Sequence, residues 1–346
     1  MKLLYIVYSN INYDQRVQQE LNSISKIVDT FSISIGDIKE TNGNMYINPG
    51  KIGFLKFPIA WALFLLKTIQ IKPDILMFAD INTAPVAIFY KILFTKPIIF
   101  DMHEIGSEME ANSNYFKKFI WKILEFITIR YSDHIITINN SLMGYLHKYS
   151  DREVTVLFNY PSNRLFNRST TPKRKNFVYI GNLSSGRGLE HLVRTFLLKQ
   201  DANLKIIGNG KLKNTLRKIA DSALNIEFYD AVPLEHLTQY LLKEGTGFVL
   251  TEGTCLNHYY SLPNKVFQYL QLGMPFIASD LPELKALVES TGAGVAVKVS
   301  EEGIQSGIDE IMNHYKKYRK AAKNIKYKYI WENQESLLLD VIKRLI

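Results

Sequence analysis

Residues 259–280 have the sequence Tyr-Tyr-Ser-Leu-Pro-Asn-Lys-Val-Phe-Gln-Tyr-Leu-Gln-Leu-Gly-Met-Pro-Phe-Ile-Ala-Ser-Asp, which predicts a short helix running into a strand. Pro263 suits the first turn of a helix, because the N–H group that proline lacks would have no partner there. Gly273 permits the left-handed residue that ends many helices, and Pro275 cannot continue one. The apolar run 276–278 then predicts a strand that enters the core.

Polar residues gather at the start of this predicted helix, where Ser261, Asn264 and Lys265 lie close together in sequence. The first turn of a helix offers free N–H groups and the positive end of the dipole, and Lys265 adds a full charge. This combination predicts a site for an anion, most naturally a phosphate. Taken alone, the same residues are equally consistent with an ordinary buried helix whose first turn is solvated.

The pattern Ser-Leu-Pro-Asn-Lys-x-Phe-x-Tyr-Leu-x-x-Gly-x-Pro resembles the donor-site segment of bacterial family-four glycosyltransferases, which have the GT-B fold. The resemblance implies an α/β chain with two Rossmann-like parallel-sheet domains that face a cleft. In that family the start of this helix, here Asn264 and Lys265, faces the diphosphate of a nucleotide-sugar. The resemblance further implies a UDP- or GDP-sugar donor and no metal or other cofactor.

Strand-like and helix-like segments alternate along the chain, which predicts parallel sheets built from β-α-β units. The polar, basic and proline-marked segment 159–176 predicts a linker between two domains. We expect an acceptor-side domain at residues 1–165 and a donor-binding domain at residues 166–328. The resemblance implies that residues 329–346 form a helix that crosses back and packs on the first domain.

The composition is that of a folded chain with anionic partners. Its 346 residues are 47% hydrophobic, and 42 basic against 33 acidic residues give a net charge of +9. Nucleotides, nucleic acid and an acidic membrane surface all fit this charge, but no nucleic-acid recognition motif accompanies it. The single cysteine, Cys255, excludes an internal disulfide and fits the cytoplasm. Residues 1–8 predict a strand rather than a signal peptide, and no apolar segment approaches the ~20 residues of a membrane span.

Polar residues also follow a predicted strand of the first domain. The run 97–100 leads into Asp101-Met-His-Glu, and ligands bind at the carboxyl ends of the strands in open parallel sheets. The family often carries Asp-x-His-Glu here. The resemblance implies that His103 lies beside the reacting sugar and the acceptor, with Asp101 and Glu104 around it.

A second motif of the first domain follows the first predicted strand. Asp14, Arg16, Val17 and Glu20 form the pattern Asp-x-Arg-Val-x-x-Glu, which resembles the opening of many members of the same family. The resemblance implies that Asp14 and Arg16 lie on the acceptor side. Asp14 can also cap the helix that begins here. In the alternative interpretation, Arg16 and Glu20 are simply an i,i+4 surface pair.

The second domain carries three further candidate contacts with the donor. Glycines in the turn 182–188 permit close approach of backbone to phosphate, although such a turn alone is weak evidence. The resemblance implies that Arg187 and Gly188 contact the diphosphate and that Val232 lies near the nucleotide base. Gln268 stands where the family usually has a glutamate on the ribose, and its amide can still hydrogen-bond a ribose hydroxyl.

The sequence also departs from the family pattern. A glutamate near the transferred sugar would fall at about Tyr260, and Asn182 replaces a second phosphate-binding arginine of many members. The resemblance implies sugar transfer to a bacterial surface glycan or a lipid-linked acceptor. The departures leave open the sugar, the retaining or inverting outcome, and two alternatives: a non-catalytic nucleotide-sugar-binding protein and a GT-B-type sugar-nucleotide epimerase.

Residues 116–131 predict a helix with an apolar stripe that faces the core. The stripe is Phe116, Ile120, Ile123 and Ile127, and the residues predicted on the opposite, exposed side are Lys117, Lys118, Trp121 and Lys122. Lysines around an exposed tryptophan are typical of a helix that touches an anionic membrane, here the inner face of the cell membrane. An ordinary solvated face is the alternative.

Overall fold

The computed structural model describes residues 1–36, 43–50, 56–109, 115–163, 172–221 and 223–346. They divide into two units: unit 1 comprises Met1–Phe158 with Gln334–Ile346, and unit 2 comprises Asn159–Asn333. The boundary expected between residues 165 and 166 lies outside the described residues. The second unit continues to Asn333, beyond the expected end at residue 328.

Unit 1 is built on a parallel sheet, as the alternating pattern predicts. Its described strands are β1 (Lys2–Ile6), β2 (Asp29–Ile35), β3 (Asn44–Ile47), β4 (Ile75–Ala79), β5 (Ile98–Met102), β6 (His134–Thr137) and β7 (Val154–Val156). They pair in the order β3-β2-β1-β4-β5-β6-β7, and all pairs are parallel. Every residue of β4 and β5 is buried, because helices cover both faces of a parallel sheet.

The helices of unit 1 follow the strands in sequence. The described ones are α1 (Gln15–Ile24), α2 (Lys56–Ile71), α3 (Ala84–Phe94), α4 (Tyr115–Tyr131) and α5 (Asn140–Leu146). Asp14 caps α1, as predicted, by accepting a hydrogen bond from the backbone N–H of Val17. None of the described helices of the chain is long and apolar enough to cross a membrane.

Unit 2 repeats the same architecture. Its described strands are β8 (Lys173–Ile180), β9 (Asn203–Ile207), β10 (Ile226–Tyr229), β11 (Glu244–Val249), β12 (Phe276–Ser279) and β13 (Gly294–Val297). Their order is β10-β9-β8-β11-β12-β13, again with parallel pairs only. The described helices are α6 (Leu189–Leu198), α7 (Lys213–Ile219), α8 (Leu234–Leu241), α9 (Leu256–Tyr259), α10 (Lys265–Gln271), α11 (Pro282–Thr291), α12 (Glu301–Asn313) and α13 (Tyr315–Asn324).

The stretch 259–280 folds as a short helix and a strand, as its sequence predicts, but Pro263 lies before the helix and not in its first turn. Helix α10 begins at Lys265, one residue after Asn264, and Gly273 follows it with a left-handed φ of 64°. Strand β12 comes next and pairs with both β11 and β13. In sequence, α10 lies between β11 and β12, and its first residue lies at the carboxyl edge of the sheet.

The last helix returns to unit 1, as the fold class predicts. Helix α14 (Glu335–Arg344) packs against α1, and its first residue, Glu335, accepts a hydrogen bond of 2.6 Å from the hydroxyl of Ser23. Trp331, predicted to open this helix, lies instead in a short 3-10 turn before it.

The predicted orientation of α4 is wrong. Phe116, Ile120 and Ile123, expected in the core, are exposed, whereas the fully buried residues of the helix are Glu125, Thr128 and Ile129. The predicted exposed side faces the protein in part. There the ring of Trp121 packs edge-on against Phe57, and Lys118 pairs with Glu108. The pattern identified an amphipathic helix but not which of its faces would meet the sheet.

Candidate functional site

A cavity of about 510 Å³ opens in unit 2 where β8, β9 and α10 meet. Residues at the ends of these elements form its walls, and they are Ile180, Gly181, Asn182, Ile207, Gly208, Asn209, Ala231, Val232, Leu237, Pro263, Asn264, Lys265 and Gln268. Four of the predicted donor-binding residues thus lie in one cavity: Val232, Asn264, Lys265 and Gln268. The wall is mainly apolar away from α10, as in sites that take a planar base or ring.

Lys265 supplies the charge of this cavity. Its ammonium lies 3.8 Å from the ring centroid of Tyr179, in a cation–π contact. Gly181 makes room for it, since a Cβ atom there would lie 3.1 Å from Nζ, and a φ of +131° favours glycine at this position. Burial, reinforced by the nearby Arg187 charge, lowers the pKa of Lys265 well below its ordinary value.

No carboxylate of the described residues neutralises Lys265 or Arg187. The hydrogen bond recorded for the Arg187 side chain runs to the Thr251 hydroxyl, at 3.4 Å. Burying a cation without a counter-charge costs free energy, which a bound anion recovers. The two cations therefore define a candidate anion site at the carboxyl edge of the sheet, at the positive end of the α10 dipole. The N–H groups of Val266 and Phe267 in the first turn of α10 already donate to the carbonyls of Pro263 and Asn264.

The backbone N–H of Gly188, a residue predicted to contact the diphosphate, already has a partner. Its N–H donates to the carboxylate of Glu252 at 3.1 Å, so within this structure that donor is already satisfied. The glycines are required by the turn itself. Gly186 has a φ of +79° and a Cβ atom there would lie 2.8 Å from the ring of His258. The structure thus brings Glu252 and His258 to the Arg187 turn, and no motif assigned a role to either residue.

A second polar cluster lies in unit 1, at the carboxyl ends of β1 and β5. His103 Nε2 lies 2.6 Å from Oδ2 of Asp101, and Arg16 donates to Oδ1 of Asp101 at 2.9 Å. The Nε of Arg16 also approaches His103 Nε2, at 3.1 Å. Because Nε2 carries a proton directed at Asp101, we assign no hydrogen bond to that approach. Arg16 also donates to the carbonyl of Leu157 at 2.6 Å.

The alternative interpretation, a surface pair of Arg16 and Glu20, is right about the pairing but wrong about its location, since both side chains are buried. They form an ion pair of 3.0 Å whose side chains are 2% and 0% exposed. The hydroxyl of Tyr5 bridges the two acids, donating to Glu20 at 2.8 Å and approaching Asp101 at 2.6 Å. Burial raises the pKa of Glu20 to about 8, with Arg16 opposing. Arg16 and Asp101 therefore have a structural role that their motifs did not indicate.

Charge in this cluster keeps His103 protonated. Burial lowers the pKa of His103, but the carboxylates of Asp101 and Asp80 outweigh it and raise the pKa to about 10. Burial raises the pKa of Asp101, but Arg16 and His103 hold it well below its ordinary range. At neutral pH, His103 is therefore a cation that keeps a proton on Nδ1, 4.0 Å from Oδ2 of Asp80.

Asp80 is a candidate that the sequence analysis missed. It follows β4, and its Oδ2 lies 4.0 Å from His103 Nδ1, while its Oδ1 is buried without a hydrogen-bond partner in the described structure. Its φ of 58° and ψ of 160° fall in a region that is essentially restricted to glycine. Burial raises the pKa of Asp80 to about 6, with His103 opposing. A strained residue with an unsatisfied oxygen next to a cation is typical of a functional position.

The other two residues predicted on the acceptor side lie apart from these contacts. Asp14 caps α1, and its Oδ2 approaches the hydroxyl of Ser9 at 3.4 Å. Glu104 is exposed next to the cluster, where its charge raises the pKa of Asp80.

Comparison with known proteins finds a family match within unit 2. Residues 162–328 match the family model described as glycosyl transferases group 1. No curated protein sequence matches the chain.

Solved structures resemble the whole chain in fold. Sucrose-phosphate synthase from Thermosynechococcus elongatus has a TM-score of 0.83 at 13% identity, over 100% of this chain and 99% of that chain. HepE from Anabaena, solved in complex with UDP-glucose, has a TM-score of 0.77 at 11% identity, over 99% of this chain and 100% of that chain. A protein described as a UDP-N-acetylglucosamine 2-epimerase from Listeria monocytogenes has a TM-score of 0.68 at 13% identity, over 99% of this chain and 95% of that chain. At these identities the likeness shows the fold, two Rossmann-like parallel-sheet domains as in GT-B glycosyltransferases.

Proposed function

We propose that this chain is a glycosyltransferase that moves a hexose from a UDP- or GDP-sugar to a growing bacterial surface glycan or a lipid-linked acceptor. The observation that carries the proposal is the Lys265 ammonium, which lines a cavity of about 510 Å³ without a carboxylate partner among the described residues. The glycosyl transferases group 1 domain at residues 162–328 supports the reaction class.

In the proposed mechanism, Lys265 and Arg187 bind the donor diphosphate and stabilise the charge that develops as it leaves. Side chains and the start of α10 supply this stabilisation, so the proposal needs no metal and no further cofactor. Gln268, which is 8% exposed, holds the ribose, and the apolar wall around Val232 takes the base. The proposed outcome is retention of the anomeric configuration.

The unit 1 cluster is proposed to act on the sugar and the acceptor. Protonated His103 can donate from Nδ1 to a sugar hydroxyl, and the unsatisfied oxygen of Asp80 can accept from an acceptor hydroxyl. Both contacts strengthen when charge develops in the transition state, so they act on turnover more than on donor binding. Arg16 and Asp101 hold His103 in position.

The localisation in this proposal is the cytoplasm, where nucleotide-sugars are made available, with peripheral attachment to the inner face of the membrane. A lipid-linked acceptor requires such attachment, because its apolar chain stays in the bilayer. The net charge of +9 favours an anionic surface.

The test begins with thermal unfolding in the presence of UDP-, GDP-, CMP- and dTDP-sugars. A true donor at a hundredfold its dissociation constant stabilises the fold by about 2.7 kcal/mol. Nucleotide release from that donor, to water or to a total lipid extract, then measures turnover. We expect His103→Ala to lower release by about a hundredfold at nearly unchanged donor affinity.

Three outcomes separate the proposal from its alternatives. Donor binding without nucleotide release would indicate a non-catalytic binding protein. A change in the configuration of the donor sugar, detected by NMR, would indicate an epimerase. Loss of melting temperature in His103→Ala, with turnover per folded molecule unchanged, would remove His103 from the reacting site.

A further inference from the structure

The orientation of α4 leaves an unusually apolar surface on unit 1. Its outward side chains recur at helical spacing, and each is far from buried: Phe116 69%, Phe119 57%, Ile120 48%, Ile123 45% and Phe126 43% exposed. The neighbouring helix α3 adds Phe89, Ile92, Leu93 and Phe94, which are also exposed. We call these nine residues the α3–α4 face. Soluble monomers rarely expose a contiguous apolar patch of this kind without a partner.

The exposed charges on the helices of this face are basic. Lys117 and Lys122 flank the stripe on α4, and Arg130 lies over the ring of Phe126 with its guanidinium carbon 5.0 Å from the ring centroid. Helices α2, α3 and α4 are described in full and contain a single acidic residue, Glu125. That residue is 2% exposed and accepts a hydrogen bond from Tyr145.

Two cavities continue the face towards the end of α4. The first, of about 230 Å³, lies among the apolar side chains of Phe119, Ile123, Phe126 and Ile129. The second, of about 650 Å³, adjoins it at Tyr149 and is lined by Arg130 and residues 147–152, which bring Lys148 and Arg152 together with the one carboxylate of Asp151. An apolar recess next to a basic one matches a lipid tail next to an anionic headgroup.

We propose that the α3–α4 face docks on an anionic lipid bilayer, with the α4 stripe inserted at the level of the headgroups and acyl chains. Apolar side chains on one side of a helix, with lysines and arginine at its flanks, are the composition of an interfacial helix. The proposal deepens the proposed use of a lipid-linked acceptor and corrects the surface that the sequence predicted. The residues that enter the bilayer are the phenylalanines and isoleucines, with Trp121 turned inward against Phe57.

A second copy of the chain fits this surface less well than a bilayer does. In a two-fold dimer this face would meet itself, so Lys117, Lys122 and Arg130 of both copies would lie in one interface. The three helices present no exposed carboxylate that could pair with them. Like charges placed opposite each other oppose binding, whereas an anionic bilayer attracts each of them.

The first experiment measures binding to vesicles of phosphatidylcholine with phosphatidylglycerol, by flotation at low salt and without any donor. The triple variant Phe116→Gln, Phe119→Gln and Ile120→Gln should bind about tenfold or more weakly, because it loses exposed apolar area only. The matched control, Leu198→Gln with Leu224→Gln, changes side chains that are 80% and 101% exposed on unit 2 and should bind as the wild type does.

The second experiment tests charge. Replacing Lys117, Lys122 and Lys148 by glutamine should weaken binding by about fivefold per lysine, and added salt should act in the same direction. Lys316→Gln with Lys320→Gln, two exposed lysines of α13, should leave binding unchanged. Vesicles of phosphatidylcholine alone should bind markedly less protein than the anionic vesicles.

A fluorescence measurement tests the insertion of the α4 stripe into the bilayer separately. Tryptophan emission of a Phe119→Trp variant should shift to the blue on addition of anionic vesicles, whereas that of Leu198→Trp should not. Absence of wild-type binding to anionic vesicles, or equal losses in the control variants, would overturn the proposal. The wild type could instead fail to bind vesicles and sediment as a dimer. If the triple glutamine variant then abolishes that dimer, the face binds a second copy of the chain. Because no donor is present, failure here is distinct from failure of the proposed transfer reaction.

Discussion

The Nε2 atom of His103 lies 2.6 Å from Oδ2 of Asp101, which Arg16 also binds from the other side of the carboxylate. A histidine that gives one ring proton to a buried carboxylate keeps the second proton available on Nδ1. The ion pair thus makes His103 a donor of fixed orientation, and it ties the stability of unit 1 to the protonation of this ring.

Stability should fall as pH rises because of this histidine. The folded-state pKa of His103, about 10, is above the value of about 6.5 of an unperturbed histidine. The folded state therefore holds the proton more tightly, and the stabilisation is complete below pH 6.5 and lost as pH rises towards 10. The slope contributed by one proton is at most about 1.4 kcal/mol per pH unit.

Urea unfolding of the wild type and of His103→Gln at several pH values measures this contribution. The variant should be less stable at pH 6.5, and the difference between the two proteins should shrink by pH 10. A difference that stays constant with pH would mean that His103 is neutral in the folded protein.

Removing Arg16 should be strongly destabilising. Arg16→Ala removes the guanidinium that binds the buried carboxylate of Asp101, and breaking such a buried pair costs about 3–5 kcal/mol. Arg194→Ala, an exposed arginine of α6, is the control and should change stability by less than about 0.5 kcal/mol. The double variant Arg16→Met with Glu20→Gln should recover part of the loss, since His103 still pairs with Asp101. Equal stability of the wild type and Arg16→Ala would show that the cluster carries no net stabilisation.

Asp80→Gly should stabilise the fold and reduce transfer. The backbone at Asp80 has a φ of 58° and a ψ of 160°. This conformation costs a non-glycine residue about 1–3 kcal/mol, and glycine adopts it without that cost. Lys72→Gly, at a φ of 53°, provides a comparison outside the cluster. Calorimetric melting and nucleotide release together check the prediction. A less stable Asp80→Gly protein, or one with full turnover, would contradict a strained functional role.

Donor binding should take up a proton at Lys265. The pKa of this lysine is lowered by burial and by Arg187 in the free protein, and a bound diphosphate raises it again. Affinity should therefore decrease as pH rises above the pKa of the free protein. Calorimetry of UDP binding over a series of pH values, in buffers of different ionisation enthalpy, counts the protons. The uptake should vanish in Lys265→Met, and an equal uptake in that variant would assign the proton to another group.

The fold and the donor cavity were predictable because their signals are local. Gly273 marks the end of α10 by backbone chemistry that depends on no other part of the chain, and Pro263 comes two residues before the start of the helix. The carboxyl edge of a parallel sheet then brings Val232, Lys265 and Gln268 to one cavity, as the β-α-β pattern implies.

The unit 1 cluster was less predictable because its contacts join distant parts of the sequence. Nothing local distinguishes a surface pair of Arg16 and Glu20 from a buried one, and burial here depends on Tyr5 and Asp101 lying above α1. The prediction of the orientation of α4 failed for a related reason. Its helical periodicity fixes two faces, but Phe116 and Ile120 are apolar enough for either a core or a bilayer.

The measurement that tests the central claim most directly is calorimetric titration of the donor identified by thermal shift into Lys265→Met and Arg187→Gln. Each substitution removes one charge-assisted hydrogen bond, so each should weaken donor affinity by about 1.5–3 kcal/mol while the melting temperature stays close to that of the wild type. The controls Lys316→Met and Arg194→Gln should bind the donor with wild-type affinity. Unchanged affinity in both Lys265→Met and Arg187→Gln would contradict a donor site at the start of α10.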